Sequence, residues 1–87
     1  MSVSSKKKDL KYELLNIYNN KENYTLISLY RELLIYNNKI QIYVSNDIYD
    51  SYTNELYNII DTYLYDTENI EDYNRMYNCL NTIIANL

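Results

Sequence analysis

The 87-residue chain contains neither glycine nor proline. These two residues are the strongest helix breakers, at about 1 and 3 kcal/mol each in a helix interior. Glycine also supplies the positive φ angles that two-residue β-hairpins need. Helices can therefore run without interruption, whereas tight hairpins lack their usual turns. The sequence predicts an all-α fold.

Paired asparagines are the expected helix stops in such a chain. The segment Ile17-Tyr18-Asn19-Asn20-Lys21 recurs as Ile35-Tyr36-Asn37-Asn38-Lys39. Asparagine tolerates the left-handed conformation that ends many helices better than other residues that carry a Cβ. We therefore expect the first two helices to end near residues 19 and 37.

Apolar residues recur at helical spacing in four segments, which predicts helices over about 9–19, 24–37, 46–65 and 68–86. Ser45 and Asp66 or Thr67 are the expected N-caps of the last two helices. The core positions expected from the spacing are Leu10, Leu14, Ile17, Ile27, Tyr30, Leu33, Leu34, Tyr49, Tyr52, Leu56, Ile59, Ile60, Tyr63, Ile70, Tyr73, Tyr77, Leu80, Ile84 and Leu87, with Met76 and Ile83 widening the stripe of the last helix.

The segment 40–44 alternates apolar and polar residues as a strand does. It has no strand to pair with, so we interpret it as an extended connector whose Ile40, Ile42 and Val44 fill the bundle; a strand is the alternative. The predicted fold is a small four-helix bundle: two short helices, this connector and a long helical hairpin. Residues 1–8 are expected to form a flexible basic tail and 9–87 a single helical domain.

The absent residue types exclude much chemistry. There is no histidine to act as a general base or metal ligand, and the single Cys79 allows neither an internal disulfide nor a cysteine metal cluster. A phosphate-binding loop would need glycine. We therefore expect no enzyme activity, no catalytic residues, no metal and no cofactor. No apolar run reaches the ~18–20 residues that cross a bilayer, so we expect a cytoplasmic protein without membrane contact.

Charge is divided unevenly along the chain: residues 1–45 carry a net +3 and residues 46–87 a net −7. The acidic half favours a protein partner with a basic surface. Alternatively, most of its acids stabilise helix N-termini, and Glu71 can pair with Arg75 one turn later. The acidic residues expected at one end of the helical hairpin are Asp61, Asp66, Glu68, Glu71 and Asp72.

A basic cluster opens the chain and could contact an anion; it comprises Lys6, Lys7, Lys8 and Lys11. The alternative is a solvated tail, and the net charge of −4 argues against a nucleic-acid partner.

Tyrosine replaces phenylalanine completely, with 13 tyrosines and no phenylalanine. Tyrosine combines a large contact area with a hydroxyl group, which suits interfaces. Alternatively, the tyrosines occupy half-buried positions at the rim of a small bundle. The tyrosines that fall off the helical core stripes or flank the connector are the predicted interface residues: Tyr36, Tyr43, Tyr57 and Tyr65.

Residues 30–60 resemble a pattern found in uncharacterised helical proteins of low-GC bacteria and their phages, in which a helix leads into an I-x-L-Y-x-S-x-E-V segment and a second long helix. The matching residues are Ile40, Ile42, Tyr43, Ser45, Asp47 and Ile48, with Asp47 in place of glutamate. The resemblance implies a helical architecture and no activity, and no characterised family is matched.

The sequence favours a small acidic protein-interaction module that binds a host protein stoichiometrically and inhibits or modulates it. Asparagine, isoleucine, tyrosine and lysine make up 44 of the 87 residues, and their AT-rich codons point to a phage or mobile element of an AT-rich genome. A counter-defence protein such as an anti-CRISPR inhibitor is one example. Two alternatives remain: a self-assembling structural subunit, for instance a homodimer, and a nucleic-acid-associated regulator that uses the basic tail.

Overall fold

Four long helices make up the chain in the computed structural model, which describes residues 3–65 and 70–87, with side chains described for 6–63 and 70–87. They are α1 (Val3–Asn19), α2 (Leu26–Tyr43), α3 (Asn46–Tyr65) and α4 (Ile70–Ala85), and a 3₁₀ turn at Lys21–Asn23 joins the first two. The described residues contain no strand. The predicted all-α four-helix bundle is confirmed.

The helices form a ring in which each packs against its neighbours in sequence and α1 closes onto α4. α2 also contacts α4 across the diagonal. Successive helices run antiparallel: Tyr52 near the start of α3 lies with Cys79 late in α4, and Tyr30 early in α2 lies with Tyr57 late in α3. α2 and α3 therefore form one side of the bundle, and the groove between them is open to solvent.

The core lies on the ring's inner side, where every helix contributes an apolar stripe. Its fully buried side chains are Leu10, Leu14, Leu26, Leu29, Leu33, Ile40, Ile59, Met76, Leu80 and Ile83. The expected stripes of α1 and α3 are confirmed at Leu10, Leu14, Tyr52, Leu56 and Ile59. Burial of each such side chain stabilises the fold by roughly 1.5–3 kcal/mol.

The extended connector predicted at 40–44 is wrong. Residues 40–43 form the last turn of α2, and only Val44 and Ser45 separate it from α3. Ile40 does fill the bundle, but Ile42 points outward and is 71% exposed. These residues are helical because the helix satisfies the backbone hydrogen-bonding groups that a lone strand would leave unpaired. α2 is consequently 18 residues long, and α1 has 17 residues because it starts at Val3, so neither helix is short as predicted.

Asparagines end helices in this chain through side-chain hydrogen bonds and not through the predicted left-handed backbone conformation. No described residue has a positive φ angle. At the end of α1 the Asn20 side-chain amide instead donates to the carbonyl of Asn16, at 2.7 Å, and at the end of α4 Asn86 donates in the same way to Thr82. The pair Asn37-Asn38 does not end α2, which continues to Tyr43.

One predicted helix start is confirmed and another is wrong. Ser45 caps α3 as predicted, because its hydroxyl accepts the N–H of Ile48. α1 begins at Val3 rather than near Asp9, so the lysines of the expected tail lie on a helix. Each lysine near a helix N-terminus costs only a few tenths of a kcal/mol. The expected caps Asp66 and Thr67 lie outside the described residues. None of the described helices has the length and apolarity that a membrane span requires.

Candidate interaction surface

The outward side of α2 carries large aliphatic side chains in contact with solvent. We call it the outer α2 face and define it by six exposed residues: Ile27, Arg31, Leu34, Ile35, Asn38 and Ile42. At 100° per residue these positions fall within roughly 100° of the helix circumference. The face therefore forms one continuous stripe along the whole helix.

This stripe exists because α2 is apolar on both sides. Its inward side is occupied by Leu26, Leu29, Leu33 and Ile40, which are fully buried. A helix that is apolar all round is normally covered on all sides. The described residues provide only the three other helices, and they pack against the inner side of α2. The helical spacing predicts Ile27 and Leu34 in the core, but both are exposed, at 37% and 43%.

The groove between α2 and α3 borders the outer α2 face and has a volume of about 230 Å³. Leu34 belongs to both the groove and the face, and Tyr57 forms the opposite wall with 65% of its surface exposed. Asn37 lies between them, and its buried side-chain oxygen has no hydrogen-bond partner among the described residues. Burial raises the pKa of Tyr30 in the same groove, with a smaller contribution from Tyr57. The groove thus offers a mixed apolar and polar lining, with one buried acceptor that has no donor among the described residues.

A second groove, between α3 and α4, has a volume of about 330 Å³. Arg75 forms ion pairs with Glu55 across this groove and with Asp72, at 3.6 Å, on its own helix. The sequence predicts Glu71 as the partner of Arg75, whereas the structure pairs Arg75 with Glu55 and Asp72. The Arg75–Glu55 pair, whose side chains are 42% and 40% exposed, contributes only about 0–1 kcal/mol. Because Arg75 contacts carboxylates of both α3 and α4, we interpret this groove as a packing contact between the two helices.

Cys79 lines this second groove but is protected from reaction. Burial, followed by the charge of Glu55, raises its pKa from 9.0 to about 11. At pH 8 roughly 10% of a thiol with a pKa of 9.0 is in the reactive thiolate form, compared with roughly 0.1% of the buried Cys79 thiol. We expect Ellman's reagent to modify the native thiol at least ~100-fold more slowly than the thiol of the urea-unfolded chain. Equal rates at pH 8 would contradict this burial.

Two tyrosines of α4 use their hydroxyl groups to hold the α1–α2 connection. The Tyr73 hydroxyl accepts the N–H of Leu26, at 3.0 Å, and the Tyr77 hydroxyl donates to the carbonyl of Lys21, at 2.7 Å. The Lys21 ammonium lies over the rings of Tyr18 and Tyr77, at 5.0 and 5.7 Å from their centroids. Phenylalanine could supply none of these hydrogen bonds, so part of the tyrosine content is structural.

The predicted interface tyrosines are dispersed. Tyr57 lies on the surface beside the outer α2 face. Tyr36 and Tyr43 are half-buried and pack against the core. Tyr65 belongs to α3, but its side chain lies outside the described residues. Tyr12, on α1, is 63% exposed and was not singled out.

The predicted acidic cluster is divided as well. Asp61 and Glu71 are exposed, whereas Asp72 is only 3% exposed and is paired with Arg75. Asp66 and Glu68 lie outside the described residues.

The basic cluster lies along α1, where Lys6 and Lys8 are exposed and Lys7 and Lys11 are half-buried. Lys6 lines a groove that also contains Asp9 and Glu13, so acidic side chains adjoin part of this basic surface.

The residues missed by sequence reasoning are the aliphatic ones of the outer α2 face. The signal that could have found them is the excess of aliphatic residues in α2 over what one buried stripe can use. No group of metal-ligating side chains suited to an ion occurs in the part of the chain that the structure describes. Comparison of the chain with known family models, curated proteins and solved structures finds no match.

Proposed function

We propose that this protein acts by stoichiometric binding to another protein, with the outer α2 face as its contact surface. The observation that carries the proposal is the row of four exposed aliphatic side chains along one helix. Scattered exposed apolar residues are ordinary on protein surfaces, whereas a continuous patch that runs the length of a helix marks an interaction site. Tyr57 and the adjoining groove extend the patch with the type of residue that is enriched in protein interfaces.

We further propose that the target is a host protein, which the module inhibits or modulates in the cytoplasm of a low-GC bacterium. The abundance of residues whose codons are AT-rich and the small size and acidity of the chain support an origin in a phage or mobile element. A counter-defence role, such as anti-CRISPR inhibition, belongs to this class. The exposed carboxylates of Asp47, Asp50 and Asp61 on α3 favour a target with a basic rim.

The test uses the intact chain, tagged and mixed with a lysate of a low-GC bacterium. We expect the wild type to retain one stoichiometric protein, and Ile35→Glu to lose it, because a buried unpaired carboxylate is strongly unfavourable in an apolar contact. Ile70→Glu is the matched control: Ile70 is 75% exposed against 69% for Ile35, but it lies on α4, outside the outer α2 face.

Both variants change an exposed residue, so circular dichroism should show unchanged helicity. Equal retention of the captured protein by Ile35→Glu and the wild type would reject the outer α2 face as the contact surface. Capture of no stoichiometric protein by the folded wild type would reject the proposed host target.

A further inference from the structure

The residues of the outer α2 face have the same spacing in both directions along the helix. About the midpoint between Leu34 and Ile35, Ile27 mirrors Ile42 and Arg31 mirrors Asn38. An antiparallel crossing of two copies about a two-fold axis at this midpoint brings each residue opposite its mirror position. A surface that meets itself in this way is what a two-fold symmetric interface requires.

We infer that, in the absence of another partner, a second copy of this chain covers the outer α2 face, with the two α2 helices antiparallel. This inference rests on the proposed function in one respect, namely that the face is an interface. Each Ile27 packs on Ile42 of the second copy, and each Leu34 packs on the second copy's Ile35. All four exposed aliphatic side chains of each copy thereby find an apolar neighbour.

The charges on the face fit this arrangement. Arg31 is the only charged residue of the outer α2 face, and its mirror position is Asn38, whose side-chain oxygen can accept from a guanidinium. The two Arg31 positions lie about 10 Å apart along the crossing, which is close to one Debye length at physiological salt. The arrangement places no like charges directly opposite one another, whereas a parallel pairing in register would oppose the two arginines.

The size of the face sets the strength of the dimer. A helix of 18 residues is about 27 Å long, so one such crossing buries less than the ~800 Å² per partner of a standard stable interface. Tyr57 and the α3 side of the groove add area at the edge. We therefore expect a reversible dimer with a dissociation constant of roughly 10–100 µM, so the chain is mostly monomeric at about 1 µM.

Sedimentation equilibrium over about 1–200 µM tests the association directly. The wild type should shift from its monomer mass of 10.6 kDa towards twice that mass as its concentration rises. Ile35→Glu should weaken the dimer at least ~10-fold, since the carboxylate then faces Leu34 of the second copy. Ile70→Glu should behave as the wild type does. A wild type that stays monomeric throughout, or equal weakening by both variants, would overturn the inference.

Cysteine cross-linking tests the antiparallel geometry. Ile27→Cys and Ile42→Cys, mixed and mildly oxidised, should form a disulfide-linked heterodimer, because a disulfide needs Cα atoms within about 7 Å. Each variant alone should form no disulfide dimer, since its two cysteines would lie about 22 Å apart along the crossing. The buried Cys79, with its raised pKa, does not compete. Homodimers of each variant alone, or no heterodimer in the mixture, would overturn the antiparallel pairing.

The two proposals fail in different ways. A monomeric wild type that still captures a host protein through Ile35 overturns the second-copy inference and leaves the proposed function intact. A wild-type dimer that captures no host protein supports the inference and overturns the host target.

Discussion

Leu33→Ala is expected to lower the free energy of unfolding by about 2–5 kcal/mol. Leu33 is fully buried at the centre of α2, where that helix faces α3 and α4. Truncation removes apolar contacts and leaves a cavity that long, packed helices close only partly. Small domains are stable by only about 5–15 kcal/mol, so this single change removes a large share of the total.

The neighbouring residue provides the control. Leu34 is 43% exposed, and Leu34→Ala should cost under ~1 kcal/mol when both variants are unfolded with urea at about 1 µM, where the chain is expected to be monomeric. Circular dichroism at 222 nm reports the transition of this all-helical chain. Similar losses for Leu33→Ala and Leu34→Ala would mean that α2 has a different rotation in solution, and the outer α2 face would then not exist.

Two tyrosine-to-phenylalanine substitutions should change stability in opposite directions. Tyr52 is 4% exposed, and its hydroxyl has no hydrogen-bond partner among the described residues. Tyr52→Phe removes a buried polar atom that gains nothing, so it should stabilise the fold by about 1 kcal/mol. Tyr77→Phe removes the bond to the carbonyl of Lys21 and should destabilise it by about 1 kcal/mol.

The pH dependence of stability gives a second test of Tyr77. Burial is the main reason that the pKa of Tyr77 rises from 10.0 to about 12. The folded state thus favours the neutral phenol, and the stability from this group is present below pH 10 and lost as the pH rises towards 12. Urea titrations at pH 7 and pH 11 check both points. If Tyr52→Phe lowered the free energy of unfolding at pH 7, as Tyr77→Phe is expected to do, the Tyr52 hydroxyl would have a hydrogen-bond partner in solution.

The helices of the 46–87 half and the inner stripes could be predicted because they depend on local spacing and caps. Ser45 fixes the start of α3, and the three- and four-residue steps of Tyr77, Leu80 and Ile84 place them in the core. Ile70 keeps the same spacing but is exposed.

The candidate interaction surface could not be predicted because two choices depend on tertiary packing. The rotation of α2 decides whether Leu33 or Leu34 faces the core, and an apolar pattern on both sides fits either choice. The alternation at 40–44 resembles a strand, yet Ile40 continues the buried stripe of α2 by two turns from Leu33. Correct placement of these residues needed the positions of α3 and α4.

A helix with two apolar sides also raises a question of folding frustration, because α2 could enter the bundle in two rotations with similar burial. Polar contacts form at the start of α2, and one of them distinguishes the two rotations. The Thr25 hydroxyl accepts the N–H of Ser28 in a capping box, and the N–H of Leu26 donates to the Tyr73 hydroxyl of α4. The capping box lies within α2 and forms in either rotation, whereas the bond to Tyr73 joins the start of α2 to α4. The bond to Tyr73 therefore favours the rotation that buries Leu33 and leaves Leu34 exposed.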